Sequence, residues 1–300
     1  MIKGIITPSI TVFNKDRTID YKGNERHINY LIDSGVNGIL FLGSIGEFFA
    51  MGMDEKKDFI SFALETVVGR VPVLIGTGGT VIGEVIELSQ YAVEKGAHGV
   101  AVITPYFFQF NQETLYNYYK MIAENVEGNI YLYNFPDRTG VNMPVELIYQ
   151  LARDFDNIKG IKDTMDSISN TREIITQVKE GLPEKDFVVY AGFDEYFLPN
   201  LLAGGDGLIG GLSNVVPALF AELYQAYVGG DFNTIARNSK KIGILMEIYK
   251  VSQPFFPAIK QAAALMGTGI EAVCKEPIKA LNNNQIGRIK EIIRRAESVL

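Results

Sequence analysis

Cysteine is nearly absent: Cys274 is the only one in 300 residues. No disulfide can form within the chain, which fits a reducing compartment. Histidine is almost as scarce. His27 and His98 lie far apart in the chain, and with a single cysteine they argue against a His/Cys metal site. Long apolar runs are missing too, since nothing approaches the ~20 residues of a membrane-spanning helix. The opening "MIKGIITPSITVFNKDR" has a short apolar run broken by Thr7 and Pro8 and no small-residue cleavage site, so it does not read as a secretory signal. No basic cluster stands out. The 28 basic residues are outnumbered by 35 acidic ones, for a formal net charge of -7, which argues against a nucleic-acid partner. Together these absences predict a cytoplasmic protein with neither membrane nor nucleic-acid partners.

What is present is a rhythm. Short β-branched runs bounded by glycine alternate with longer amphipathic stretches. The strand candidates are 4–13, 38–43, 71–77, 99–105, 129–134, 157–163, 187–192 and 207–214. Between them the apolar spacing is helical, as in "EKKDFISFALETVVG", where Phe59, Phe62, Ala63 and Val67 share a face and Asp54 is placed to cap. "IGEVIELSQYAVEKG" closes on a lysine and Gly96, a helix stop. Eight strands, each followed by a helix, imply parallel pairing through right-handed crossovers. The economical closure is an α/β fold of the (β/α)8 TIM-barrel type over residues 1–230. A doubly wound open sheet would want a dinucleotide fingerprint after its first strand, and "TPSITVFNKD" has none. From 231 to 300 the pattern is helical throughout, predicting a C-terminal helical extension packed on the barrel.

In such a barrel, chemistry gathers at the C-terminal strand ends. "GIKDT" (160–164) places a lysine where a buried strand should prefer valine. Alternation puts Ile158, Gly160 and Lys162 on one face, with Gly160 leaving room below the lysine if that face is interior. Desolvation disfavours an ammonium, and a neutral amine can attack a ketone to form a Schiff base. The plainer alternative is a lysine paired with Asp163 or another carboxylate. Tyr133 lies at the matching level of strand five. A phenol there can relay protons, or can simply be packed; Tyr131, on the same face and deeper, reads as core. "GSIGE" (43–47) offers turn amides able to cradle a carboxylate, with the Ser44 hydroxyl beside them; the alternative is a loop that needs glycine for its backbone. "GTGGT" (76–80) matches no nucleotide motif. Arg138 has bidentate reach for a carboxylate, or is a surface cation.

"GSIGE", "YNFPDRTG" and "GIKDT", in this order, mark a resemblance, spanning nearly the whole chain, to the dihydrodipicolinate synthase / N-acetylneuraminate lyase family of class I aldolases. "FLGSIGEFFAMG", "VPVLIGTGGT", "GIKDTMDS" and "LLAGGDGLI" resemble its 2-keto-3-deoxygluconate aldolase branch most. The resemblance implies a pyruvate-dependent carbon–carbon lyase that needs no metal or nucleotide cofactor. Lys162 matches the Schiff-base lysine, Tyr133 the proton-shuttling tyrosine, and Ser44 its hydrogen-bonding partner. The amides of Ser44 and Ile45 would hold the keto-acid carboxylate, and Gly46, Arg138, Gly192, Ile209 and Tyr106 join Ile45 as substrate-binding candidates. Two positions depart from the synthase pattern. Ile45 replaces a second threonine, and Phe107 replaces a tyrosine lent across a subunit interface, so the synthase relay is incomplete. Arg138, by contrast, matches the arginine with which synthases hold aspartate semialdehyde. The implied reaction is reversible cleavage of a 2-keto-3-deoxy sugar acid to pyruvate and an aldehyde. The alternatives are dihydrodipicolinate synthase, a keto-deoxy acid dehydratase and a silent keto-acid-binding barrel. The implied assembly is a homotetramer, a dimer of dimers.

Overall fold

The computed structural model describes residues 1–299. Eight parallel strands close into a barrel in chain order: β1 (Gly4–Pro8), β2 (Gly38–Phe41), β3 (Val73–Gly76), β4 (Gly99–Ile103), β5 (Asn129–Asn134), β6 (Ile158–Asp163), β7 (Val188–Ala191) and β8 (Gly207–Leu208). The last pairs with the first through Gly4↔Gly207 and Ile5↔Leu208. The TIM barrel predicted from the alternating pattern is therefore the fold.

Strand alternation builds two cores. Outward residues such as Ile39, Phe41, Val73, Ile75, Val100, Val102 and Leu132 join one large cluster with the helices. Inward residues Ile6, Leu40, Leu74, Ala101, Tyr131 and Tyr190 fill the lower barrel interior. Each fully buried aliphatic side chain contributes roughly 1.5–3 kcal/mol. The barrel is thus plugged from below, and only its upper end is open to a ligand.

The helices are α1 (Tyr21–Asp33), α2 (Met53–Val67), α3 (Ile82–Glu94), α4 (Gln112–Asn125), α5 (Pro136–Thr139), α6 (Val145–Asp154), α7 (Ile168–Ile174), α8 (Phe197–Leu202) and α9 (Pro217–Gly229). α3 stops where expected, with Lys95 as C-cap and Gly96 at φ 95°. Two local expectations are corrected. Asp54 does not cap α2. The cap is Gly52, and Asp54 sits in the first turn, where its charge still complements the helix dipole. The run 207–214 is not one strand. β8 ends after two residues and Gly211–Asn214 form a 3-10 turn, pinned by Asn214, which donates to the Pro8 and Gly211 carbonyls. β1 is likewise shorter than its apolar run.

Gly230, at φ 73°, ends α9, and Asp231 caps the next helix by accepting from Asn233 and Thr234 amides. α10 (Phe232–Leu245), α11 (Phe256–Leu265) and α12 (Asn283–Glu297) follow. They return to the barrel top, where Tyr249 and Lys260 reach residues of the strand ends. Among the described residues, no helix is long and apolar enough to cross a membrane.

Candidate active site

Lys162 is the penultimate residue of β6, and its side chain points inward. Gly160 below it is an interior position. A Cβ there would lie 2.5 Å from Val188 and 3.2 Å from the Tyr131 ring, so glycine is what lets the two neighbours close beneath the lysine. Lys162 is 5% exposed, and its Nζ lies 4.2 Å from the centroid of the Tyr133 ring. Register explains the meeting: Tyr133 pairs with Lys162 across β5 and β6. A cation over a tyrosine face is a favourable arrangement.

Asp163 does not pair with the lysine. It faces outward, where Oδ1 accepts from Asn134 and Oδ2 from Asn170 and Thr171. Its burial holds the carboxyl above its usual range, opposed by those three hydrogen bonds.

Ser44 comes from the turn after β2. Its Oγ lies 3.4 Å from the Tyr133 hydroxyl. The turn closes with Glu47 N donating to the Ser44 carbonyl at 3.3 Å, while the amides of Ser44 and Ile45 donate to no protein acceptor among the described residues. Two free amides beside a lysine and a phenol form a ready site for an anionic group.

These groups line one cavity of about 200 Å³ at the barrel top, together with Ile45, Arg138, Gly192 and Ile209. Arg138, on α5, is held between two aromatic faces, 5.6 Å from the Phe135 centroid and 5.5 Å from that of Phe255. Two other candidates lie elsewhere. Gly46 does not line the cavity; its carbonyl accepts from Thr11 Oγ1 behind the turn. Tyr106 lines a neighbouring apolar cavity of about 340 Å³ that shares Ser44 and Arg138 with the first.

The sequence profile of the dihydrodipicolinate synthetase family matches residues 1–296. The chain belongs to that family. It is 37% identical over 294 residues to the "Putative 2-dehydro-3-deoxy-D-gluconate aldolase YagE" of Escherichia coli K12, covering 98% of this chain and 97% of the relative. It is 38% identical over 275 residues to the "Probable 2-dehydro-3-deoxy-D-pentonate aldolase YjhH" of the same organism, covering 92% and 91%. The crystal structure of the first of these, in complex with pyruvate, superposes with a TM-score of 0.96 at 37% identity, over 98% of each chain. This member of the dihydrodipicolinate synthetase family is an enzyme of the lyase class.

Several cavity residues of the family member escaped the sequence reading. Thr164 lines the cavity and its buried Oγ1 has no hydrogen-bond partner. Strand alternation carried two residues beyond Lys162 could have found it. Gly192 makes way for it, since a Cβ there would fall 1.8 Å from that oxygen. Tyr249 and Phe255 also line the cavity, and both come from the extension, which no barrel pattern points to. Tyr249 donates to Asp194 Oδ2 at 2.5 Å, and Leu212 N donates to Oδ1 at 3.1 Å. Burial pushes Asp194 up to about 6 against both of these bonds, with the Lys162 charge opposing it further. Burial and the adjacent Asp194 hold the Tyr249 phenol well above its ordinary value. No group of three or more His, Cys, Asp or Glu side chains among the described residues is arranged around a common metal position.

Proposed function

We propose that this family member cleaves a 2-keto-3-deoxy sugar acid reversibly to pyruvate and an aldehyde through a Schiff base on Lys162. The observation that carries this reading is a buried lysine without a carboxylate partner from its own strand, lying on the ring of a tyrosine whose hydroxyl meets Ser44. The Lys162 amine adds to the C2 ketone, and loss of water gives an iminium. Tyr133 then accepts the C4 hydroxyl proton as its own proton passes to Ser44 Oγ, whose hydroxyl proton leaves to solvent. The C3–C4 electron pair moves into the iminium, leaving an enamine and a free aldehyde. Protonation at C3 and hydrolysis release pyruvate and restore the amine. The Ser44 and Ile45 amides hold the carboxylate, and Gly192 and Ile209 flank the chain of the substrate. The chemistry calls for no metal or nucleotide, because the iminium itself is the electron sink.

Arg138 favours a second reading, condensation of pyruvate with an acidic aldehyde as in dihydrodipicolinate synthase. Its guanidinium borders the cavity, and the two rings beside it fix the position of a potential carboxylate partner. The working form is a homotetramer in the cytoplasm. Phe107, 86% exposed with φ 91°, supports assembly, because a strained exposed aromatic is better accommodated against another subunit.

Borohydride reduction after incubation with pyruvate tests the proposal, with peptide mass spectrometry locating the adduct. A pyruvyl adduct on Lys162 is expected. Glyceraldehyde and aspartate semialdehyde then separate aldolase from synthase as acceptors. Folded protein that traps no pyruvate would overturn the reading and favour a silent keto-acid-binding barrel.

A further inference from the structure

Glu47 closes the "GSIGE" turn, yet the chemistry above does not use it. It is fully buried, as is Lys260 on α11, and the two form an ion pair. Both members of the pair have further partners. Glu47 Oε2 accepts from the Lys275 amide at 2.9 Å. Lys260 also donates to the Val273 carbonyl at 2.8 Å, and its Nζ lies 4.7 Å from the Phe13 centroid. The Glu47 backbone is left-handed, at φ 59°, a conformation that a residue with a Cβ adopts at a cost unless its surroundings hold it there. That backbone turns the carboxylate away from the cavity and toward the extension, while the preceding amides stay free.

We infer that Glu47 and Lys260 are positioning residues for the substrate carboxylate, clasping the Ser44–Ile45 turn from behind so that its amides face the cavity. The inference rests on the proposed reading in which those amides bind the keto acid. Three contacts fix the turn against the barrel: the buried pair, the Lys275 amide, and the Thr11 hydroxyl on the Gly46 carbonyl. Two of the three come from the extension, so the extension governs carboxylate recognition without touching the carboxylate. A buried charge left alone would re-sort its surroundings, and Glu47 is the group most able to drag the turn with it.

The test compares pyruvate with methyl pyruvate, which keeps the ketone and lacks the anionic carboxylate, by borohydride trapping on Lys162 over a range of concentrations. Wild type should prefer pyruvate, and failure of wild type to trap either compound would count against the Schiff-base reading rather than this inference. In Lys260→Met the half-saturating pyruvate concentration should rise about tenfold, with methyl pyruvate changed far less and the adduct at saturation still on Lys162. A general loosening of the fold would weaken both compounds alike. Should Lys260→Met not fold, the neutral pair Glu47→Gln with Lys260→Met, which leaves no buried charge unpartnered, decides the matter. A fall in its preference for pyruvate of about threefold or more supports the clasp. A preference within about twofold of wild type, in either folded variant, overturns it.

Discussion

Lys162 and Lys260 are both buried, on different terms. Lys260 is surrounded by acceptors, with a carboxylate, a carbonyl and an aromatic face around its ammonium. Lys162 has the Tyr133 ring on one side and an open cavity on the other. The carboxylate next to it in sequence is committed to three donors outside the barrel. A lysine whose hydrogen bonds are complete serves the fold; one left facing space with no committed acceptor is available to a ligand. Burial alone cannot distinguish the two, since both are nearly inaccessible, so the character of each is set by its partners.

The sharpest way to break this comparison is to remove each lysine in turn. Lys162→Ala should lose turnover and trapping by about three orders of magnitude or more, with a denaturation midpoint close to wild type, because no ion pair is broken. Lys260→Met should reverse the pattern, losing about 3–5 kcal/mol in chemical denaturation because Glu47 is left buried and unpaired, while still trapping pyruvate on Lys162 at saturation. Similar profiles for the two variants would dissolve the distinction. Next in size is Tyr133→Phe. Cleavage should slow by about 100-fold, as loss of a proton relay does, while pyruvate trapping persists, a separation visible by running steady-state assays beside trapping.

A smaller effect lies in acid. His27 is buried, with Nε2 on Asn214 and Nδ1 unpartnered, and burial pulls it down from 6.5 to about 4. Between those values the unfolded chain binds a proton that the folded chain refuses. Its contribution is therefore complete above pH 6.5 and is lost as pH falls toward 4, by about 3 kcal/mol. Asp194 runs the opposite way. Its carboxyl is raised from 3.8 to about 6, so the folded chain holds the proton more tightly and stability grows as pH falls through that window. The two partly cancel in wild type. Denaturation of His27→Gln against wild type from pH 7 to pH 4 should show the variant gaining relative stability toward acid, and parallel curves would refute the assignment. The smallest change expected is Tyr249→Phe. It removes one donor from Asp194 and should cost about 1–3 kcal/mol, read from the shift in urea midpoint.

Much of the fold was legible because strand and helix periods are local. β5 is visible as "NIYLYN" without any partner, and β6 as "NIKGIKD", since alternation and β-branching need only neighbours in the chain. Lys162 was visible because a lysine contradicts its own strand. Tyr249, Phe255 and Lys260 were not, because helical periodicity reports that a face is buried and says nothing of what it meets. The end of β8 was misread for a related reason: "GLIGGL" is glycine-rich and otherwise apolar, and the turn that ends it is held by Asp194, from the end of the neighbouring β7, and by Asn214 of the turn itself reaching the Pro8 carbonyl of β1.

The sequence by itself determined the alternation of strand and helix, that Lys162 and Gly160 share one strand face, and the matching level of Tyr133, because these follow from repeats of two and 3.6 residues along one chain. Only the tertiary structure decided which buried lysine is paired, which amides of the "GSIGE" turn stay free, and that the extension supplies a wall of the cavity. Those outcomes depend on groups hundreds of residues apart meeting at hydrogen-bond distance, a matter of barrel closure and register that no local period encodes.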